Sequence, residues 1–173
     1  MIRNIVPVTD PVLRKKSKPV EKVDKKIKLL IKDLKDTLKA QKDPKGVGLA
    51  ACQIGKNLRV FAIKPKKEIK IIINPEVISV SKDKNIPSPK KNVLEGCLSL
   101  PHYYGPLKRP KKIEISFLDE DGKKTREAFE GFSAHIIQHE IDHLEGVIFI
   151  DKLLKKNLPL FKHTRGEWEE IEL

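Results

Sequence analysis

Cysteine is scarce in this sequence, which has only Cys52 and Cys97. Neither sits in a Cys-x-x-Cys pair, so a zinc ribbon and a thioredoxin-type redox site are excluded. The two thiols could pair in principle, but a cytosolic setting keeps them reduced and makes metal or catalytic use the better reason for a special cysteine. Aromatic residues are also few, at 5%. Neither the aromatic motif of an RNA-recognition sheet nor a basic DNA-reading helix is present, so no DNA partner is expected. No apolar run approaches the roughly 20 residues of a membrane span. The opening stretch MIRNIVPVTDPVLRKKSKPV lacks the apolar core and small-residue cleavage site of a secretory signal, so the expected location is cytoplasmic, with no membrane partner.

Positive charge is plentiful. Lys and Arg number 36 against 24 Asp and Glu, a net +12, which favours polyanionic surroundings such as a ribosome. Lysine greatly outnumbers arginine, however, and a solvated Lys-rich surface accounts for the same excess. With 39% hydrophobic and 35% charged residues the chain reads as soluble and globular. A length of 173 residues suits one compact domain better than two. A single domain over residues 1–173 is expected.

Val23, Ile27, Leu30, Ile31, Leu34 and Leu38 recur at steps of three and four, which predicts an amphipathic helix within about Val20 to Lys42, broken by Asp43-Pro44-Lys45-Gly46. β-Branched runs predict strands at 58–63, at 69–73 ended by Asn74-Pro75, and at 76–80. The polar stretch SKDKNIPSPKKN, residues 81–92, reads as an exposed loop insertion. Lys112 to Leu118 and Lys124 to Phe129 flank Asp119-Glu120-Asp121-Gly122 as a hairpin. Ser133 as N-cap and Gly146 as stop bracket a second helix. Ala134, Ile137, Ile141 and Leu144 follow helical spacing there, so the helix is largely buried and its polar residues need partners. Residues 154–173 read as a variable tail, alternating and acidic from Gly166 onward in the manner of an edge strand.

The buried helix carries Gln138-His139-Glu140-Ile141-Asp142-His143. Histidines at i and i+4 share a helix face, and a glutamate beside the first provides a base, the HExxH arrangement of metal-dependent hydrolases. Surface histidines would require that face to be wet, which the surrounding isoleucines oppose. Two imidazoles do not complete a metal site. His135, one turn earlier on the same straight helix, cannot converge from another direction and is read as structural. A third ligand could lie downstream, where Glu167, Glu169, Glu170, Glu172 and His163 show no endopeptidase-type spacing. It could also lie upstream, at Cys97 in Glu95-Gly96-Cys97-Leu98-Ser99-Leu100-Pro101. Cys97 is better placed, between a glycine that permits close backbone approach and a Pro-ended turn, and a thiolate binds Zn(II) or Fe(II) strongly.

Gly46-Val47-Gly48-Leu49-Ala50-Ala51-Cys52-Gln53, Glu95-Gly96-Cys97-Leu98-Ser99 and the helix motif resemble, in order and spacing, the three signature motifs of the peptide deformylases. The resemblance covers about Asp10 to Leu153. It implies an α+β fold in which antiparallel sheets surround the HExxH-bearing helix. The implied activity is removal of the formyl group from the N-terminal formylmethionine of nascent polypeptides, releasing formate. Cys97, His139 and His143 are implied as ligands of one divalent metal, Fe(II) in the cell with Zn(II), Ni(II) or Co(II) as alternatives, and a fourth position stays open for water. Glu140 becomes general base and then acid. The Gln53 side chain and the Leu98 backbone N–H become oxyanion donors. An extended peptide pairs its main chain with Val47, Gly48 and Gly96, while Val93, Phe132, Ile136 and His139 wall the methionine pocket. Glu95, Asp142 and Arg109 are candidates for fixing ligand orientation.

The sequence also departs from the family. Cys52 stands where small polar or apolar residues are common, and the 81–92 loop looks longer than in short members. The tail is acidic after Arg165, where many bacterial members carry a basic helix, so ribosome docking is expected through the Lys-rich segment 20–42 instead. Two rival readings share parts of the pattern. An HExxH endopeptidase needs a downstream ligand, and a non-catalytic ribosome-binding relative has no need of intact Glu140, Gln53 and Cys97.

Overall fold

The computed structural model describes residues 1–87 and 94–172. Val93 and residues 88–92 of the expected loop insertion therefore lie outside the described residues. Among these residues, the strands form two sheets with antiparallel pairing throughout. The five-stranded sheet has the order β1 (Gly48–Ala50), β2 (Val60–Ile63), β3 (Lys70–Val80), β6 (Lys112–Leu118), β7 (Lys124–Glu130). The four-stranded sheet has the order β4 (Glu95–Cys97), β5 (Leu100–Gly105), β8 (Leu160–Thr164), β9 (Glu167–Ile171).

The five-stranded sheet is covered on both faces, which explains why β2 reads VFAI with every residue buried. Val60 and Ala62, with Ile71 and Ile73 of β3, pack in the cluster under α1 (Lys25–Ala40). Phe61, Ile63 and Ile72 point the other way, into a cluster with Ala134, Ile136 and Ile137 of α2 (Phe132–Leu144). That second cluster also takes in Cys97 and Leu160 from the smaller sheet. α2 thus shares a core with residues of both sheets, and α3 (Phe149–Lys155) buries Phe149 and Leu153 in the same cluster.

Three sequence expectations need correction. The first helix starts at Lys25, later than its apolar pattern, because the Asp24 carboxylate accepts the Ile27 N–H at 3.0 Å and caps it there. Residues 70–80 form one strand, not two. Asn74 adopts φ 49° and the register shifts between Ile73 and Glu76, so Asn74-Pro75 makes a bulge that the ladder continues past. Asn74 is held there by Val20, whose N–H donates to Oδ1 and whose carbonyl accepts from Nδ2, both at 2.8 Å. Ser133 lies inside α2, and the N-cap position is Gly131 at φ 62°. The hairpin of β6 and β7 forms as expected, its turn tied by Asp119 Oδ1 accepting from the Asp121 and Lys123 N–H groups.

Gly146 follows the C-terminus of α2 at φ 75°, and a Cβ there would lie 2.6 Å from the Arg14 carbonyl oxygen. Gly166 has φ 83° in the β8–β9 turn, with nothing within 4 Å of a Cβ. Both replacements by alanine carry backbone strain, but only the first adds a backbone clash. In urea denaturation Gly166→Ala should lose about 1 kcal/mol and Gly146→Ala about 3 kcal/mol or more. Equal losses would show that the contact with Arg14 is easily relieved.

Candidate active site

α2 presents His139, Glu140 and His143 to the interior, at 8%, 3% and 1% exposure. Cys97 reaches them from the end of β4, where the ladder to β5 slips between Gly96 and Cys97 and then turns through Leu98 and Ser99. One ligand atom each from Cys97, His139 and His143 fall within 4.8 Å of one another. Cys97 Sγ lies 3.3 Å from His143 Nε2. A buried thiolate with two imidazoles in this compass is a donor set for a divalent cation of the Zn(II) or Fe(II) kind.

Glu95, two residues before Cys97, organises the cluster. Its carboxylate takes a bidentate pair of hydrogen bonds from Arg109, Nε to Oε2 and Nη2 to Oε1, each 2.6 Å. It also meets His139 Nδ1 at 2.6 Å and His135 Nε2 at 2.9 Å. Accepting from His139 Nδ1–H fixes the tautomer that leaves Nε2 free for a ligand role. Arg109 Nη2 lies 3.0 Å from Asp142 Oδ2, which Lys152 meets at 2.7 Å. Burial alone would raise the Glu95 carboxyl, but the Arg109 charge, with hydrogen bonds from Arg109, His135 and His139, holds it well below the usual range.

The same balance shapes the ligands. Burial opposes ionisation of Cys97, yet the charge of His143 and hydrogen bonds from both imidazoles draw the thiol down to about 5. Burial pushes Glu140 up to about 7 against the pull of His139 and His143. Its Oε2 has no protein partner among the described residues. Cys52 differs in kind. Burial, reinforced by the charges of Glu140 and Cys97, pushes it to about 12, and its Sγ contacts the His143 carbonyl at 3.8 Å. It remains a neutral packing thiol.

Gln53 lies in the short helical turn Ala51–Ile54 after β1. Its Oε1 accepts the Ala50 N–H at 2.9 Å, and its Nε2 points to Ser99 Oγ at 3.1 Å and Cys97 Sγ at 3.5 Å. Gly48 leaves room for the helix, since a Cβ there would fall 2.3 Å from Glu140 Oε1. A cleft of about 290 Å³ opens onto this cluster. β1 and β4, each the edge strand of its own sheet, contribute Gly48 and Gly96 to its lining. Two strand edges left unpaired among the described residues along one cleft suit an extended peptide.

Cys97, His139, Glu140, Gln53, Leu98, Val47, Gly48, Gly96, Phe132, Ile136 and Glu95 line that cleft, while Arg109 and Asp142, also expected from the sequence, contact one another outside its lining. His143 lies behind it in the ligand cluster. His135 bonds Glu95 and stands outside the three-donor group, in keeping with its structural reading. Sequence reasoning missed Ser99, which orients Gln53, and the rim residues Lys45, His102 and Tyr104. Ser99 falls within a quoted motif, but the rim residues are joined only by tertiary packing and carry no spacing signal.

Residues 2–158 match the family model described as polypeptide deformylase. A peptide deformylase of Pseudothermotoga lettingae is 44% identical over 151 residues, covering 87% of this chain and 82% of that protein. The crystal structure of peptide deformylase from Thermotoga maritima superposes with a TM-score of 0.79 at 35% identity, over 87% of this chain and 97% of that one. A peptide deformylase from Synechococcus elongatus in complex with actinonin gives 0.78 at 31% identity, over 94% and 80%. With a thiolate and two imidazoles gathered beside a buried glutamate and a peptide-wide cleft, and with these likenesses spanning nearly the whole sequence, the chain belongs to the polypeptide deformylase family, whose members carry out metal-dependent deformylation of N-formylmethionine.

Proposed function

We propose that this chain removes the formyl group from the N-terminal formylmethionine of nascent polypeptides and releases formate. The observation that carries the reading is the meeting of Cys97, His139, His143, Glu140 and the Gln53 amide at the buried end of one cleft edged by two open strands. We read residues 1–173 as one catalytic domain of the cytoplasm in which antiparallel sheets surround α2, with 81–92 as an insertion and 154–173 as a variable tail.

Cys97, His139 and His143 would hold a divalent cation, which would supply Lewis acidity to the substrate carbonyl and to water. Fe(II) is our assignment in the cell, with Zn(II), Ni(II) or Co(II) able to replace it, because a mixed thiolate and imidazole set suits each. Glu140 takes a proton from the attacking water and delivers it to the departing amine nitrogen as the C–N bond breaks. Its carboxyl is buried beside both imidazoles, and one oxygen has no protein partner among the described residues, which leaves it free to hold and pass a proton. The Gln53 Nε2 and the Leu98 N–H donate to the oxyanion that develops, and Gln53 is already oriented through Ala50 and Ser99. Val47, Gly48 and Gly96 bind the peptide main chain, so recognition beyond methionine reads backbone first. Phe132, Ile136 and His139, with Val93, wall the methionine pocket. Glu95, Arg109 and Asp142 hold the ligands in orientation.

If the ribosome is a partner, the exposed lysines of α1 are the docking face. Charge reversal at Lys25, Lys32 and Lys39, which recur every seven residues on that helix, should abolish salt-sensitive co-sedimentation with ribosomes; unchanged sedimentation would exclude α1.

Formate release from N-formylmethionyl-alanyl-serine by protein purified without oxygen tests the activity. Glu140→Ala should lower kcat by about 10²–10⁴-fold while metal content stays near that of the wild type. Cys97→Ala should lose the metal itself. Absence of formate from a folded, metallated wild type would sink the assignment, and a Cys97→Ala protein retaining metal would favour a ligand from elsewhere.

Arg109→Ala leaves the buried Glu95 carboxylate without its cation, at a cost of about 3–5 kcal/mol at neutral pH. The pH dependence follows from the sign of the shift. In the wild type the Glu95 pKa lies below its unfolded value, so its contribution is present above the unfolded pKa and is lost as pH falls through the folded one. In the variant burial dominates and raises it, so the deficit shrinks as acid neutralises the carboxyl. A deficit independent of pH in urea titrations would show that Glu95 is not the group left unpaired.

A further inference from the structure

The C-terminal hairpin extends the cleft-forming sheet. In that sheet Gly96 of β4 lies opposite Tyr104 of β5, and Tyr104 opposite Phe161 of β8. On β8 and β9, His163 lies opposite Trp168. Residues directly opposed, and those two apart on one strand, share a face of the sheet. Tyr104, Phe161, His163 and Trp168 therefore form one aromatic surface on the face where Gly96 has no side chain. The rings use it. Tyr104 and Trp168 meet edge to face with centroids 5.4 Å apart at 70°, and Trp168 lies against His163 at 4.5 Å.

The Tyr104 ring leans across β4. A Cβ on Gly96 would come 2.6 Å from its Cε1 and 2.7 Å from its Cδ1, so the ring occupies the space above the glycine and lines the cleft. Pro44 and Lys45 line the same cleft. The neighbouring Asp43 carboxylate lies close enough that, after burial, it is the cause raising the Tyr104 phenol. Gly96 stands one residue away from the ligand Cys97 along an edge strand. A substrate strand added to β4 with its methionine at the metal centre sets its next residues beside Gly96, under the Tyr104 ring.

We propose that Trp168 is a positioning residue for peptide recognition, holding Tyr104 against Gly96 so that the ring forms the wall for substrate residues downstream of the methionine. Trp168 acts through Tyr104 and touches no reacting atom. The inference rests on the deformylase reading and assigns the acidic tail a part in substrate selection.

The test compares two substrates, N-formylmethionine amide, which has no residue after the methionine, and N-formylmethionyl-alanyl-serine, on the metallated full chain. Trp168→Ala should raise KM for the longer peptide by about 3–10-fold, the scale of one aromatic pair, with kcat unchanged and the shorter substrate little affected. Trp168→Phe should restore the wild-type KM, and in a Tyr104→Ala background Trp168→Ala should add nothing further. Equal KM values for Trp168→Ala and wild type on the longer peptide would overturn the proposal. So would equal losses on both substrates without rescue by phenylalanine, since that pattern marks a stability effect. Trp168 is the single tryptophan, so the wild type provides a readout that needs neither a variant nor turnover. Titration with the product methionyl-alanyl-serine should shift its emission, whereas methionine alone should not, and an emission unmoved by bound tripeptide would also overturn the proposal. Absence of formate from both substrates with the wild type would fault the deformylase reading instead, and the emission titration would still decide the role of Trp168.

Discussion

The site depends on the buried ion pair between Glu95 and Arg109. A carboxylate at 3% exposure is strongly disfavoured unless its charge is met and its lone pairs filled. Arg109 does both with two parallel hydrogen bonds, and two histidines of α2 take the rest. Because Glu95 and Cys97 are two apart on β4, their side chains share a face, and the carboxylate that grips His139 also sets the sulfur beside it. The same Nη2 that bonds Glu95 also reaches Asp142, again on α2, and Asp142 reaches Lys152 of α3. One network thus fixes the strand with the third ligand against the helix with the other two, and preorganises the donor set before any cation arrives.

Glycine serves this arrangement differently from what the motifs alone imply. Gly48 and Gly96 read as positions where a substrate backbone comes close. In the folded protein their missing side chains first make room for the protein itself. Glu140 Oε1 fills the space at Gly48, and the Tyr104 ring fills the space at Gly96. Each edge strand therefore carries a side chain from another element directly above its backbone, and among the described residues no strand pairs with its outer edge.

What could be read in advance follows from which forces are local. The periodicity of Ile27 to Leu38, the alternation of β6 and the i, i+4 histidines are local patterns, and all three elements form. Asn74-Pro75 looked like a strand end because the bonds that stabilise Asn74 at φ 49° come from Val20, far away in sequence. α3 is seven residues long and β8 five, too short for periodicity to announce them. That His139 and His143 share one face was legible from spacing, and the structure gathers them with Cys97 into one group of potential donors. Cys97 was preferred over other donors for its local setting and for the motif resemblance, whereas the slip in the β4–β5 ladder beside it has no sequence signature. The Tyr104 and Trp168 contact lay beyond sequence reasoning for a like reason, since register between β5, β8 and β9 creates it.

The charges of the buried cluster also argue for what it holds. Glu95 is answered by Arg109, and Asp142 by Lys152, leaving the Cys97 thiol and the Glu140 carboxyl as acids with no fixed cation of their own. Protons then fill the role. Cys97 ionises readily only by way of the neighbouring imidazoles, and Glu140, with one oxygen unpartnered, is held up near 7. A divalent cation held by Cys97, His139 and His143 would match those two negative charges and would replace the proton that Cys97 and Glu95 favour on the His139 ring, while the Nδ1–H donated to Glu95 leaves Nε2 as the ligand atom. Metal and protons therefore compete for the same groups, so affinity for the cation must fall as the medium becomes acidic.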